Sequence, residues 1–445
     1  MSLQGIYLAS RSVSAQQRAL EVTGQNISNV NTPGYTRQIA VLSPVGTSDS
    51  TSLASGTGRG GGVDVSLVFR SRASWLDRSA DTLRAQVGDA GVATQLATRI
   101  EGVTGEPGST GIQASLNQFF SAFQAAANQP DDATLRTGTV RSGAQVLERF
   151  ESVLGGLATL RQETLSGAQV GVEQVNDLAK QIAGLNHMIG TIQAGGQPAN
   201  ELLDQREQLL EKLTTLTGAT LSGRDGGDLV VSVGGITLVQ GAESQSFQLR
   251  AEGMLTTAGG TSVPAVGGEL GARLQAVQTT LPGYESRLSA IRDTFVAEVN
   301  TLHSSGKDRA GAQGAAFFVL RTDGALSVNP QLQADSRRLA LGDGTAGEGS
   351  IARAIAELRD SPGILPAYQS LVGEMGGGVV SARNRSEMAT ASLSQVKTMQ
   401  ASESGVNLDE ELANMVAQQH VYAASARLLS TYDQLLETLI QRTGV

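Results

Sequence analysis

The chain has 445 residues, of which 40% are hydrophobic, 4% aromatic and 17% charged, with 54 glycines, no cysteine and a net charge of −9. This composition favours a folded chain over a disordered one, and it excludes disulfide frameworks, thiolate metal sites and cysteine nucleophiles. Neither a basic stripe that would bind nucleic acid nor an apolar run of the roughly 18–20 residues that a membrane span needs is visible in the sequence.

The first predicted element is an amphipathic helix over residues 2–30. Its apolar residues recur every seven positions, at Ile6, Val13, Leu20 and Ile27. Such a repeat keeps an apolar stripe on one face when helices supercoil around partners. The positions three residues further on are partly polar, so this helix is expected to be marginal by itself in water. Pro33-Gly34 fits the centre of a type II turn and ends it.

Two strands are predicted next, over 36–42 and 63–69, with a loop rich in Gly, Ser and Thr at 46–62 between them. Within this loop, residues 56–61 match the Gly-x-Gly-x-x-Gly spacing of nucleotide-binding turns. That fingerprint needs a helix behind it, whereas here a strand follows. A flexible loop is therefore the prediction, and no cofactor is expected.

The middle of the chain alternates between helical and strand-like patterns. Helices are predicted over 72–102, 111–128, 131–194, 200–217, 283–304, 350–358 and 367–404. A hairpin is predicted where Gly234-Gly235 separates two β-branched runs, and a small β segment around Phe317-Phe318. The fold class is therefore mainly α with β-rich insertions, in an elongated, discontinuous, multidomain chain.

The order of elements predicts four regions that the chain visits on its way out and back. They are a terminal assembly region of 1–70 with 405–445, whose N- and C-terminal helices are predicted to pair as a coiled coil; a helical inner domain of 71–217 with 281–304 and 348–404; a β-rich domain of 218–280; and a small β remnant of an outer domain at 305–347.

The last predicted helix starts after Asn407, which can cap it, with Glu410 placed to reach back. It too has a seven-residue apolar repeat: Leu408, Met415, Tyr422, Leu429 and Leu436. Either repeat alone fits an ordinary helix in a domain core. Both together predict seams for assembly, because chain ends usually fray when nothing holds them.

No catalytic or metal-binding constellation accompanies these seams. His187, His303 and His420 are more than 100 residues apart and have no clustered carboxylates. The nucleophile and carboxylate sets that an enzyme needs do not stand out. The sequence therefore predicts neither an enzyme nor a metal site.

Two terminal motifs resemble those of the bacterial flagellar axial proteins, the class of rod, hook and hook-associated proteins. The first motif is the stretch 23–37, and the second begins at Gly405 and runs through Asn407 and Leu408 into the last helix. The residues that carry the first motif are Asn26, Asn29, Asn31, Pro33, Gly34 and Tyr35. The stretch 200–209, Asn-Glu-Leu-Leu-Asp-Gln-Arg-Glu-Gln-Leu, resembles a segment of the hook-associated protein 1 family within that class.

The resemblance implies a structural adaptor at the junction of flagellar hook and filament. It implies a tubular lattice of this chain with about eleven subunits per turn, contacts with the hook protein and a second junction protein, and an export chaperone at the C-terminal helix. It also implies an extracellular location after export by the flagellar type III apparatus. The start of the sequence, Met1 to Gly5, has no basic or apolar signal region, which agrees with export without a cleaved signal. The alternatives are a hook or rod protein, a free adhesive or signalling protein that uses coiled-coil ends and, more remotely, a flagellum-associated cell-wall hydrolase.

Overall fold

The computed structural model describes residues 4–45, 61–322 and 324–443. The predicted glycine-rich loop, with most of its Gly-x-Gly-x-x-Gly spacing, lies outside the described residues. Within the described residues the α-helices are α1 (Gln4–Ser28), α2 (Ser74–Thr104), α3 (Ile112–Asn128), α4 (Ala133–Ala194), α5 (Asn200–Thr217), α6 (Gly268–Gln275), α7 (Leu281–Ser305), α8 (Pro330–Ala334), α9 (Ser350–Glu357), α10 (Leu365–Ser404) and α11 (Leu408–Thr443). Among the helices described, none combines the length and apolar character needed to cross a membrane.

The helices predicted between residues 72 and 217 are confirmed to within a few residues as α2 to α5. Their ends follow ordinary capping chemistry. The Asp132 carboxylate caps α4 by accepting the N–H groups of Thr134 and Leu135, at 2.7 and 3.1 Å. Gly105 and Gly218 end α2 and α5 with φ of 66° and 63°, a left-handed conformation that favours glycine.

The expectation of β-rich structure throughout 218–280 is wrong in its last part. Residues 268–275 form α6, and a π-helical turn over 276–280 joins it to α7. The glycines there resemble turn signals in the sequence, but Gly268, with φ of 62°, starts a helix beside the backbone of Thr215 and Leu216. A side chain at that position would collide with this backbone, so the glycine serves close packing.

The strands form small antiparallel sheets. Their bounds are β1 (Gln38–Pro44), β2 (Val63–Arg70), β3 (Thr220–Ser222), β4 (Val230–Val233), β5 (Ile236–Gln240), β6 (Glu243–Ser244), β7 (Phe247–Leu249), β8 (Leu255–Thr257), β9 (Phe318–Leu320) and β10 (Leu326–Val328). Sheet order is β1-β2, β3-β4-β5-β6, β7-β8 and β10-β9. The predicted hairpin is confirmed as β4 and β5, with Gly234 and Gly235 at φ of 57° and 80° in the turn between them.

The segment 305–347 contains more than the predicted β structure. The β9–β10 pair is there, but so are the short helix α8 and a 3-10 turn at Ser336–Arg338. Phe317 and Phe318 are buried against the helices, with ring centroids 4.7 Å apart. This segment therefore shares a core with helices from both sides of it in the chain. The division into four regions stays a prediction.

Two large hydrophobic cores lie along the long helix α4, and a small third cluster joins its end to α5. The first is built by α2, α3, the first half of α4, α7, α9 and α10. It surrounds an aromatic cluster in which the ring centroid of Phe119 lies 4.8 Å from that of Phe123 and 5.0 Å from that of Phe295. The second joins the later part of α4 to α5, α6 and the sheets β3-β4-β5-β6 and β7-β8. Leu213 and Val231 are buried in it. Fully burying side chains of this size stabilises the fold by about 1.5–3 kcal/mol each.

The terminal helices pack against each other. The contacts run from Gly5 beside Tyr432, through Ser12 beside Ser425, to Asn26 beside Glu411. Because the numbers rise in α1 while they fall in α11, the two helices are antiparallel. The β1–β2 ribbon lies beside α1, and α10 runs along α2 toward the terminal helices.

Candidate assembly interface

The predicted seam residues lie on the flanks of the terminal pair. Ile6, Val13, Leu20 and Ile27 are all half-buried in α1, as are Met415, Leu429 and Leu436 in α11. Leu408 and Tyr422 are exposed, at 43% and 36% of their surface. A single chain therefore leaves much of both apolar repeats uncovered, and their role as an assembly seam stays a prediction.

A different row of α1 lies between the two helices, and it is small and polar. Ala9, Ala19, Gln16 and Thr23 are buried there. The hydroxyl of Thr23 donates to Gln418 Oε1 at 3.1 Å, and the hydroxyls of Ser12 and Ser425 are 2.9 Å apart. Ala9, Gln16 and Thr23 belong to the partly polar row three residues after the predicted seam, whereas Val30, its last member, is exposed. Small side chains let the helices approach closely, and the hydrogen bonds satisfy the polar groups buried by that approach.

The terminal helices expose large apolar side chains among their polar ones. Exposed large apolar side chains are Tyr7 and Leu8 in α1 and, in α11, Leu408, Leu412, Val416, Val421, Tyr422, Leu428, Leu435 and Ile440. Single exposed apolar residues are common on proteins, but an apolar surface that recurs along 36 helical residues is typical of an interaction site.

Asn26 is the central residue of the terminal motif. It is buried, and its amide donates to Gln38 O at 2.9 Å and to Glu411 Oε2 at 3.1 Å. Its Oδ1 accepts the N–H of Gln38 and the hydroxyl of Tyr35, both at 2.9 Å. This single side chain uses both donors and both lone pairs, and it joins α1, β1 and α11.

Burial raises the pKa of Tyr35 to about 12, and the negative charges of Asp204, Glu201 and Glu411 contribute in the same direction. The phenol therefore stays protonated and can donate to Asn26 over the whole physiological range. The tyrosine of the motif has the structural role of fixing the orientation of the asparagine amide.

The predicted turn after α1 is confirmed. Gly34 has φ of 81°, and the N–H of Tyr35 donates to Thr32 O at 3.2 Å. The carbonyl of Pro33 accepts a hydrogen bond from Gln208 Nε2 at 3.0 Å, so α5 holds the turn from outside.

The other asparagines of the two motifs are near or at the surface. Asn29 is half-buried and donates to Gln25 O at 3.0 Å, whereas Asn31 is exposed. Asn407 caps α11, accepting the N–H groups of Asp409 and Glu410 at 3.1 and 3.4 Å.

The expected backward reach of Glu410 to this cap is wrong, because its carboxylate binds Arg37 at 2.8 Å instead. Arg37 also binds Glu411 at 2.7 Å. The first turn of α11 is therefore fixed to the chain that follows the Pro33-Gly34 turn. Three acidic residues in that turn also complement the positive end of the helix dipole.

Helix α5 begins with the segment that resembles hook-associated protein 1, and it attaches the terminal region to the body. The buried carboxylate of Asp204 accepts the N–H and hydroxyl of Thr36, at 3.1 and 2.9 Å, and pairs with Arg70 at 3.0 Å. Asn200 Nδ2 donates to Gln38 Oε1 at 2.9 Å. Both strands of the ribbon are therefore bonded to one face of α5.

One helical turn further along α5, Glu207 lies between two guanidinium groups. It pairs with Arg72 and with Arg224, each at 2.9 Å. Burial alone would raise the pKa of Glu207, but these two cations outweigh it and hold the pKa below its usual range. Arg224 also binds Asp81 of α2 at 2.9 Å, so this cluster joins α2, α5 and the loop before β4.

Sequence reasoning missed the residues that make this attachment: Arg37, Arg70, Arg72, Asp81, Asp204, Glu207, Arg224 and Glu411. The available signal was the polar 200–209 stretch, which has more charged and amide side chains than an ordinary core helix presents. Their partners lie up to 374 residues away along the chain, so spacing alone could not pair them.

The histidines have no shared site. His187 and His420 are exposed, and His303 is buried. His303 Nδ1 lies 2.5 Å from Ala315 O, and its Nε2 accepts the N–H of Ala340 at 3.0 Å, which assigns the proton to Nδ1. Burial lowers the pKa of His303. No group of three or more metal-binding side chains occurs within the described ranges.

Comparisons with known proteins agree with these features. The helical-domain model of flagellar hook-associated protein FlgK matches residues 97–318. Models of the flagellar basal body rod protein and of the FlgEFG C-terminal region match residues 6–36 and 400–442. The end matches are to the rod class, so the 97–318 match distinguishes the family.

Relatives and a solved structure point the same way. Flagellar hook-associated protein 1 of Bacillus subtilis is 26% identical over all of this chain and 99% of its own length. That of Escherichia coli is 24% identical over 97% of this chain and 98% of its own length. The hook junction protein FlgK of Burkholderia pseudomallei is similar in fold, with a TM-score of 0.62 and 16% identity, over 73% of this chain and 100% of the solved one.

Proposed function

The chain belongs to the flagellar hook-associated protein 1 family, a family of structural flagellar proteins, and we propose that it is the adaptor that joins the hook to the filament. The observation that carries this proposal is the set of large apolar side chains that α11, and the start of α1, leave exposed in a single chain. A protein that functions alone gains nothing from such a surface. A subunit of a lattice buries it against neighbours.

We further propose that the terminal helices pair as a coiled coil within a lattice of about eleven subunits per turn, a packing that heterologous contacts produce. The small, polar row between α1 and α11 supplies the contact within each subunit. The seam residues Ile6, Val13, Leu20 and Ile27 on one helix, and Leu429 and Leu436 on the other, are then available for neighbours. Burying each leucine-sized side chain contributes about 1.5–3 kcal/mol. Ordering the helices costs conformational entropy that the contact within one subunit does not offset, so their ordering depends on assembly.

The proposed partners are the hook protein on one side and a second junction protein on the other. Before assembly, the exposed apolar face of α11 needs cover, and an export chaperone is the proposed occupant. Export without a cleaved signal through the flagellar apparatus, and a final extracellular place in the flagellum, complete the proposal.

The test is attachment of the purified protein to isolated hooks, observed by electron microscopy. Leu428→Asp with Leu435→Asp should abolish attachment, because both side chains are exposed in the single chain and their loss removes contacts to neighbours only. Substitution of the half-buried Leu429 or Leu436 would also disturb the pair with α1, so it is less informative.

The matched control is Ser430→Asp with Gln434→Asp, which adds the same charge to exposed polar positions of the same helix. This control should attach normally. Absence of attachment by the parent chain would remove the junction role. Normal attachment by the double leucine variant would show that the exposed apolar side chains of α11 are not part of the interface.

A further inference from the structure

Exposed ion pairs mark one level of the helical body, where α2, α4, α7 and α10 run side by side. They join α2 to α4, α4 to α7 and α7 to α10: Arg99–Glu163, Arg161–Glu285 at 3.7 Å and Arg287–Glu374 at 2.5 Å. In each of these pairs, both side chains are at least 20% exposed. Exposed pairs of this kind contribute little and re-form easily, so they do not resist a change of angle between the helices.

The two hydrophobic cores meet at this level, which we call the waist. In α4, Leu160 is the last residue of the first core and Ala168 is the first of the second. In α10, Met375 is the last residue of the first core, and beyond it only Ala382 and Ala389 are buried. Beyond the waist, α10 therefore buries only small side chains.

Some of the helical glycines that packing does not require lie near the waist. They occur in all four helices: Gly102 in α2, Gly155 in α4, Gly283 in α7, and Gly376, Gly377 and Gly378 in succession in α10. A Cβ at each of these positions would meet nothing within 4 Å. By contrast, a Cβ at Gly143 would collide with the ring of Phe317, and one at Gly156 with Val103.

An unforced glycine inside a helix costs about 1 kcal/mol relative to alanine, and it weakens the helix at that point. Three in succession in α10 are a local loss of stiffness with no compensating contact. Helix α7 has its own irregularity at this level, since a π-helical turn at 276–280 and Pro282 precede Gly283. Such turns and prolines are the usual causes of helix bending.

We propose that the waist is a hinge, on which the second core and the terminal helices tilt against the first core. The second half of α10 transmits the tilt, because the N–H of Arg37 donates to Ser404 O at 3.1 Å and links the end of α10 to the terminal region. A hinge at this level exists whether or not the chain joins hook to filament, so its test needs no hook.

The test replaces the three glycines of α10 together, as Gly376→Ala, Gly377→Ala and Gly378→Ala. Because the chain has no cysteine, spin labels can be placed by Gln124→Cys in the first core region and Lys180→Cys in the second, both at exposed positions. Pulsed electron paramagnetic resonance then gives the distribution of the distance between the labels. Bent conformers should become about a hundredfold rarer, which corresponds to about 3 kcal/mol at 1.4 kcal/mol per tenfold.

The matched control is Gly91→Ala, Gly138→Ala and Gly184→Ala, three exposed helical glycines away from the waist that also have nothing within 4 Å of a Cβ. This variant should gain similar stability. It should keep the broad distribution of label distances that the hinge predicts for the parent. A narrowed distribution in the α10 variant alone supports the hinge. An unchanged distribution in that variant, or equal narrowing in the control, would overturn it.

Discussion

The attachment of the terminal region to the body should depend on the buried charge of Asp204. The variant Asp204→Asn keeps the shape of the side chain but removes the charge that faces Thr36 and the buried guanidinium of Arg70. Arg70 is then left with Asp225, whose carboxylate is 3.8 Å away and 91% exposed. Removing one partner of a buried ion pair costs about 3–5 kcal/mol.

This loss should be local, because the cores do not include these groups. Hydrogen exchange of the β1 and β2 amides should accelerate by about a hundredfold or more, since each 1.4 kcal/mol is a factor of ten. Amides in the first core should exchange as before.

The matched control is Asp225→Asn, which removes the exposed partner of the same guanidinium and should cost less than about 1 kcal/mol. Adding Arg70→Met to Asp204→Asn should recover part of the loss, because the unpaired buried charge is then absent. Equal exchange rates in the two single variants would refute the reasoning.

Two further predictions concern the turn after α1 and the buried histidine. Gly34→Ala should destabilise the turn by about 1–2 kcal/mol, because φ is 81°, whereas Gly24→Ala inside α1 should be neutral or stabilising. Urea unfolding of both variants tests this. A lower free energy of unfolding for Gly24→Ala would contradict the prediction. His303 has a lowered pKa, so its contribution to stability is complete above the unfolded value of 6.5 and is lost as pH falls below it. The free energies of unfolding from urea titrations at about pH 7.5 and about pH 5.5 should differ less in His303→Asn than in the parent, by up to about 1.4 kcal/mol per pH unit. His187→Asn should leave the difference unchanged.

Several features could be predicted from the sequence because they depend on neighbouring residues. Helix periods, the Asn407 cap and the Pro33-Gly34 turn are local, and the structure confirms them within a few residues. The failure at residues 268–280 has a cause outside the local sequence. Glycine is ambiguous in a sequence, because it can mark a turn or permit close backbone approach, and only the position of Thr215 decides for Gly268.

The candidate interface was predictable only in part. The seven-residue repeats indicated that both termini carry an apolar face, but they did not indicate which row faces the partner helix. In the structure the small and polar row of Ala9, Gln16 and Thr23 lies between α1 and α11, because close approach of two helices favours small side chains with satisfied hydrogen bonds.

By itself the sequence determined the class of structure, the place of most helices and strands, and the family motifs at both ends, all of which follow from periodicity and short-range chemistry. The tertiary structure alone decided which polar and charged side chains meet. Asp204 binds Thr36 across 168 residues, and Asn26 binds Glu411 across 385 residues. The physical reason is that a buried ion pair or hydrogen bond depends on the folded path of the backbone between its partners, which no local pattern contains.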